Sequence, residues 1–195
     1  MRVAIIGGTG FVGTYLIDEL INKGHKVTVL VRPGSEGKLL PDGCIRKVSG
    51  DLSRPDVLRE VLDDCGAVIY NVGLLREFPS RGITFEQTQY QGVVDTVAAA
   101  RDKGVKRLLL MSAIGVKDPG TKYQSTKRRA EQHAFDSGLD VTVLRPSVIF
   151  GDPRGKMEFA TQLYEDMVKP PMPAIAFPGV RMSPVHIEDV ASAFV

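Results

Sequence analysis

Arg2-Val-Ala-Ile-Ile-Gly7-Gly-Thr-Gly10-Phe-Val-Gly13 opens the chain as an apolar run of strand length meeting three glycines at G-x-x-G-x-x-G spacing. An amphipathic run from Phe11 to Lys23 follows at once. This order reads as a buried strand, a tight turn and the start of a helix. A helix N-terminus offers free N–H groups and a partial positive charge, and so receives phosphate. Glycine lets backbone approach a pyrophosphate where a Cβ would clash. Three glycines at this spacing arise by chance in roughly one chain in fifteen of this length, so the spacing alone decides little. Set between a strand and a helix, it points to a dinucleotide site with Gly7, Thr9, Gly10, Phe11, Val12 and Gly13 as its contacts. A glycine-rich turn that binds nothing is the alternative.

Outward from this stretch, strands and helices alternate. Near-continuous apolar runs at Val3–Ile6, Lys26–Val31, Ile45–Ser49, Ala67–Tyr70, Arg107–Met111 and Val141–Arg145 predict strands of a parallel sheet covered on both faces. Helices are expected over Phe11–Lys23, Pro55–Asp63, Phe85–Lys103 and Lys122–Ser137. Ser53 is placed to cap the second, and Thr84-x-x-Gln87 reads as a capping box for the third. Gly24, Gly104 and Gly138 each stand where a left-handed C-cap belongs, a few residues ahead of a strand. The repeated unit predicts an α/β class: a Rossmann-like, doubly wound parallel sheet in a three-layer αβα arrangement. Residues 1–150 form the NAD(P)-binding domain in this reading, and 151–195 the start of a substrate region rich in loop signals such as Lys169-Pro-Pro-Met-Pro173. Ile187–Val195 reads as a helix that nothing stops, which suggests a fragment whose C-terminal part is missing.

The composition is that of one globular domain: 195 residues, 43% hydrophobic and 25% charged. A net charge of +2 points to neither nucleic acid nor an anionic membrane surface. The two cysteines, Cys44 and Cys65, have no zinc or CxxC spacing, so no metal site is expected and reduced thiols in a cytoplasmic protein are the plain reading. No apolar run reaches transmembrane length.

On the cofactor side, the second strand ends Leu30-Val31-Arg32-Pro33 with no acid at its tip. An acid there would bind the 2′-hydroxyl of NAD, whereas an arginine accommodates the 2′-phosphate of NADP. Arg32 therefore favours NADP(H), with NAD(H) as the alternative and Lys38 as a second basic candidate. Asp51, followed by Leu52, is placed to accept from an adenine amino group or to begin the cap of the next helix. Asn71, Val72 and Gly73 end the fourth strand where backbone either approaches the cofactor or simply turns.

On the chemical side, Tyr123-Gln-Ser-Thr-Lys127 puts Tyr and Lys on one helix face. An ammonium beside a phenol lowers its pKa from about 10, and the phenol then exchanges a proton with a substrate oxygen. The pattern alone occurs in roughly one chain in three of this length. Its weight comes from following the fifth strand, at whose C-terminal end Ser112 stands ready to hold a substrate oxygen. A surface tyrosine, a strand-ending serine and a solvated basic face are the bland readings.

Together these residues resemble the short-chain dehydrogenase/reductase superfamily, on its extended and atypical side that includes the NAD-dependent epimerase/dehydratases. Gly7–Gly13, Gly50-Asp51-Leu52, Ser112-Ala113, Tyr123-x-x-x-Lys127, Leu144-Arg-Pro146-Ser-Val-Ile-Phe-Gly151 and Val185-His186-Ile-Glu-Asp189-Val-Ala follow one another in family order. Asn71–Phe78 and Leu110–Gly115 further resemble NAD(P)-binding proteins related to the 39 kDa accessory subunit of respiratory complex I. The resemblance implies a catalytic set of Ser112, Tyr123 and Lys127, with Lys127 also on the nicotinamide ribose, and Pro146, Ser147 and Val148 along the nicotinamide. It implies a small-molecule substrate, and either a homodimer through the third and fourth helices or association with a respiratory complex through a partner. Gln89-Tyr-Gln-Gly92-Val93 departs from the Asn-Val-x-Gly-Thr stretch of many enzymatic members, and only eleven positions separate Ser112 from Tyr123. Two functions follow: an oxidoreductase or epimerase/dehydratase with Ser-Tyr-Lys chemistry on a carbonyl or sugar-like compound, or a nucleotide-holding assembly or redox-sensing module.

Overall fold

The computed structural model describes residues 1–39, 43–156 and 183–195. Six apolar segments become the strands β1 Arg2–Ile6, β2 Lys26–Val31, β3 Ile45–Ser49, β4 Ala67–Tyr70, β5 Arg107–Met111 and β6 Asp140–Leu144. They pair in parallel in the order β3-β2-β1-β4-β5-β6. The order reverses between β1 and β4, and a crevice opens there beyond the carboxyl ends of the strands. The chain is thus a Rossmann-like α/β fold.

Helices cover both sheet faces, which is why the central strands lack alternation. On one face α1 (Phe11–Asn22) packs Leu16, Ile17 and Leu20 against Val3, Ile5, Val27 and Val29. A C-terminal helix, α5 (Ile187–Phe194), joins the same core through Ile187, Val190 and Phe194. On the other face α2 (Pro55–Val61), α3 (Gly92–Lys103) and α4 (Lys122–Phe135) enclose Ala4, Ile6, Val68, Tyr70, Leu108 and Leu110. A two-stranded parallel pair, β7 Ile149–Phe150 with β8 Val185–His186, leads into α5. Its strands are too short for the sequence pattern to show. The proline-rich stretch 169–173 lies outside the described residues.

The helix boundaries hold within one or two residues except in two places. Ser53 does not cap α2. Its backbone N–H and hydroxyl both go to Asp51 Oδ1, at 2.9 and 2.7 Å, and Arg54 stands at the cap with Pro55 in the first turn. The expected third helix begins as a π-helical segment over Glu86–Gln91 before α3 proper. Within this widened segment the Tyr70 hydroxyl donates to Thr88 O at 2.5 Å, the kind of side-chain insertion at a helix carbonyl that goes with a wider turn. Gly92 permits the approach, since a Cβ there would stand 2.7 Å from Leu52 Cδ2 and closer still to the Tyr70 hydroxyl. Thr84 caps this segment in part, through Gln87 N to Thr84 Oγ1 at 3.2 Å.

Candidate functional site

Gly7 adopts φ +94°, and a Cβ on it would stand 2.7 Å from Asn71 O. The turn after β1 therefore presses against the end of β4, where Asn71 N donates to Ile6 O (2.8 Å) and Asn71 Nδ2 to Gly7 O (3.4 Å). Gly13 seats α1 on the turn, since its Cβ would stand 2.6 Å from backbone atoms of Gly8 and closer to Gly7 O. Gly10 differs. It starts α1 with no side-chain cap, no acid follows in the first turn, and only Gly7 O lies within reach of a Cβ, at 3.6 Å. The first-turn N–H groups thus border a groove with no acid of the helix's own first turn beside them.

That groove has a volume of about 1070 Å³. Gly7, Thr9, Gly10 and Phe11 line it from the glycine turn, Arg32 from the end of β2, Asp51 and Leu52 from the end of β3, and Asn71, Val72 and Gly73 from the end of β4. The size is that of a substantial organic ligand, at the top of the usual range for small-molecule sites. A cradle that a Cβ would fill and a turn that glycine alone permits fit a dinucleotide. Val12 and Gly13 act behind the lining, in packing α1. Asp51 Oδ1 is already shared by two groups of Ser53, which with Arg32 nearby hold the carboxyl below its usual range. Asp51 therefore does both things open to it: it organises the entry to α2 and it borders the groove. Arg32 is exposed, and the side chain of Lys38 lies outside the described part.

Several lining residues carry no glycine or strand-end signature. Gln87, Thr88, Gln91 and Asp95 form one polar face of the third helical region, and Gly155 and Lys156 arrive from beyond β7. The spacing 87, 88, 91, 95 is a helical stripe. It was legible as a face, but not as one turned to a ligand.

The residues of the chemical side gather at the ends of β5 and β6. Ser112 is 4% exposed, and its Oγ makes no hydrogen bond of ordinary geometry, although the Glu131 carboxylate lies close enough to be steadied by it. Ser112 and Lys127 border one small internal cavity with Tyr70 and Gln89. Lys127 is buried and donates from Nζ to Met111 O at 3.1 Å. Burial brings its pKa down to about 8, against the upward pull of Glu131. Tyr123 lies one turn earlier on α4, its ring 5.6 Å from Phe85 and 5.7 Å from Lys127 Nζ, measured to ring centroids. Burial pushes the phenol pKa up. The expected lowering by lysine does not occur in this state, because the ammonium is aimed at a backbone carbonyl and the ring is packed against another aromatic. Pro146, Ser147 and Val148 are half-buried beside this group and are not among the described groove-lining residues. Ile114 N donates to Pro146 O, at 2.9 Å.

Two connections tie these parts together. Gln89, buried, donates to Leu74 O at 3.2 Å and accepts from Thr126 Oγ1 at 3.1 Å, so the loop after β4 is fixed to α4. Glu131, fully buried one turn beyond Lys127, accepts from Arg145 Nε (2.8 Å) and Nη2 (2.5 Å) and from Arg128 Nη1 (3.1 Å). Burial alone would raise its carboxyl, but Arg145, the nearby Ser112 hydroxyl and Arg128 prevail together and hold it below its usual range. Among the described residues no group of His, Cys, Asp and Glu is arranged to hold a metal ion, and no helix is long and apolar enough to cross a membrane.

Comparison with known proteins places this geometry in context. A family described as NAD(P)H-binding matches residues 7–170. Ceramide reductase of Caulobacter vibrioides is 28% identical over 194 residues, which cover 99% of this chain and 59% of that protein. The mitochondrial NADH dehydrogenase [ubiquinone] 1 alpha subcomplex subunit 9 of Arabidopsis thaliana is 27% identical over 98% of this chain and 48% of its own length. The structure of the Bordetella bronchiseptica enzyme WbmH in complex with NAD+ superposes with a TM-score of 0.81 at 19% identity, over 98% of this chain and 70% of that one. That last likeness is one of fold. The chain spans about half the length of the curated relatives it matches.

Proposed function

Since the chain belongs to the NAD(P)H-binding family, with Rossmann-type dehydrogenase/reductase and epimerase-like relatives, we propose that it is an NADP(H)-dependent oxidoreductase or related epimerase/dehydratase. Its substrate is a small carbonyl or sugar-like compound, and its catalytic set is Ser112, Tyr123 and Lys127. The observation that carries this is the buried Ser112 hydroxyl at the carboxyl end of β5, short of a well-formed hydrogen bond and bordering one small cavity with Lys127, which itself stands one helical turn from Tyr123. A buried hydroxyl left unpaired costs free energy unless something else uses it. Here it is placed to hold a substrate oxygen.

In this reading the Tyr123 phenol, which burial keeps protonated, donates from Oη to the oxygen that Ser112 Oγ orients. Lys127 carries the positive charge that steadies the phenolate left behind. A bound nicotinamide would supply the hydride in this direction; in the reverse it would accept the hydride while the Tyr123 phenolate takes the proton back. Arg32 selects the 2′-phosphate with its planar fork, since no acid stands at the end of β2. Titration with NADPH and NADH tests the cofactor half: NADPH binds the tighter, and both Arg32→Ala and Arg32→Asp weaken it selectively. Oxidation of NADPH by a panel of carbonyl compounds tests the other half. Turnover in Tyr123→Phe equal to that of the parent would overturn the role of Tyr123.

A second reading has one observation in its favour: Lys127 Nζ is spent on Met111 O rather than directed at the phenol. A protein that holds a nucleotide for assembly or redox sensing needs no active phenol, and a complex I subunit stands among the relatives. Homodimer formation or attachment to a respiratory complex belongs to this reading. Efficient steady-state turnover excludes it. Tight nucleotide binding, no turnover and a co-purifying respiratory partner establish it.

A further inference from the structure

Gly155 and Lys156 line the nucleotide groove although they lie more than 140 positions beyond the glycine turn. What brings them there is a latch between α1 and the segment after β7. Arg154 lays its guanidinium over the Tyr15 ring, 3.6 Å from the centroid, and pairs with Asp18 Oδ2 at 2.5 Å. The Tyr15 hydroxyl donates to Asp152 O at 3.0 Å, and Arg154 N donates to Asp152 Oδ1 at 2.9 Å. Phe11, Tyr15 and Asp18 follow at helical spacing, and the Tyr15 ring stands edge-on to Phe11, which itself lines the groove. The first turns of α1 therefore face the nucleotide site at one end and hold this segment at the other.

The turn itself is unusual. Arg154 has φ +49° and Gly155 φ +69°, and Lys156 N closes on Pro153 O at 2.8 Å. Two successive left-handed residues reverse the chain sharply. Arginine does not adopt this conformation freely, and it persists there only where surrounding contacts determine it. Here the stack on Tyr15 and the pair with Asp18 do so. The result is to deliver the next two residues to the groove.

We propose that residues 151–156 form a strap over the diphosphate part of the groove, in which Lys156 binds the diphosphate and Arg154, latched to Tyr15 and Asp18, is the positioning residue. The inference rests on the nucleotide-binding reading above and adds a determinant to it. The charge logic is simple. Among the described groove-lining side chains the charged ones are Arg32, Asp51, Asp95 and Lys156. Arg32 stands at the end of β2, on the adenosine side, which leaves Lys156 as the described groove-lining cation to meet a diphosphate on the helix N-terminus. A dinucleotide with two phosphates is held there from both sides, by N–H groups below and an ammonium above.

Fluorescence titration with NADPH and NADH, and competition by ADP-ribose, at low and high salt read the effect. A charge-assisted hydrogen bond to phosphate corresponds to about tenfold in affinity, so Lys156→Ala weakens all three ligands about equally by that factor. Its binding also loses part of its salt dependence. Lys156→Arg keeps the charge and restores the affinity. Arg154→Ala weakens binding about threefold yet retains the salt dependence, because the lysine is present but unplaced. Unchanged NADPH affinity in Lys156→Ala, with the parent still binding, overturns the strap and leaves the nucleotide reading standing. Loss for NADPH but not NADH or ADP-ribose puts Lys156 on the 2′-phosphate and overturns it as well. No binding of any of the three to the parent overturns both readings.

Discussion

Two glycines of one motif should fail in opposite ways when given a methyl group. In Gly13→Ala the new Cβ meets three backbone atoms, two of them 2.6 Å away in Gly8 and the third, Gly7 O, nearer. Backbone cannot swing aside as a side chain does, so α1 must lift from the turn. Overpacking of this kind costs about 1–3 kcal/mol and occasionally more. Alanine in a helix interior returns about 1 kcal/mol over glycine. With backbone in the way the cost lies at the upper end of that range, so the net expectation is a loss of about 2 kcal/mol, read as a fall in Tm of roughly 4–8 °C for a chain of this size. Nucleotide binding falls with it, because the turn is displaced. In Gly10→Ala the Cβ meets nothing closer than Gly7 O at 3.6 Å. The only local cost is the poorer helix cap, less than about 1 kcal/mol, and Tm stays nearly constant. Yet this Cβ occupies the groove where phosphate approaches, so affinity for NADPH drops by about a hundredfold, the equivalent of one lost close phosphate contact and one clash. Differential scanning calorimetry and NADPH titration on both variants separate the effects. Parent-like Tm in Gly13→Ala would show that the helix has room after all. Parent-like NADPH affinity in Gly10→Ala would show that the ligand does not approach the turn, and the phosphate-cradle argument would fail.

Lys127 gives a pH signature. Its folded pKa of about 8 lies below the ordinary 10.5, so between those values the unfolded chain binds more protons and stability rises with pH. Below pH 8 the folded protein bears the full cost of the buried ammonium, about 3 kcal/mol. Lys127→Met is accordingly stabilised at pH 7, and urea unfolding at pH 7 and 10 shows the gain shrinking at the higher pH; an equal gain at both would refute the desolvation argument. Glu131→Gln weakens both arginine contacts. Because Arg145 and Arg128 are 45% and 39% exposed, the loss is about 1–2 kcal/mol rather than that of a fully buried pair. It is seen in urea unfolding at pH 7 and vanishes as pH falls below the carboxylate range, since the parent then loses the same charge. In Gly92→Ala the added Cβ displaces the Tyr70 hydroxyl, so a double-mutant cycle with Tyr70→Phe should give a coupling of about 1 kcal/mol or more, and additivity would mean that the two groups do not meet.

The strand–turn–helix at Gly7–Gly13 was legible because its signals lie within a few residues of one another. An apolar run, a turn that only glycine can make and a helical period need no distant partner to be read. The same holds for the six sheet strands and the left-handed glycines after the helices, with Gly104 at φ +70° and Gly138 at φ +76°. Strand ends then placed Arg32, Asp51 and Asn71 at one crevice, because a parallel sheet brings all its carboxyl ends to the same edge. Ser53 does not cap because its hydroxyl can either accept from the first N–H groups of the helix or donate to a carboxylate two residues back, and the geometry turns it to Asp51.

Charge state and closure were decided elsewhere. That Lys127 points at Met111 O, that the Tyr123 phenol rises in pKa instead of falling, and that Thr88 gives its carbonyl to Tyr70 all depend on what packs around those groups from other parts of the chain. Desolvation is a sum over neighbours in space, and spacing along a helix does not contain it. The arrival of Gly155 and Lys156 at the groove likewise depends on a left-handed arginine held by a ring on α1, a contact between residues 139 positions apart (154 against 15). Sequence alone determined the doubly wound sheet and its nucleotide turn, because those follow from local periodicity and backbone freedom. Tertiary structure decided which distant side chains close the groove and which groups carry their protons, because those follow from packing and burial between segments the chain order keeps apart.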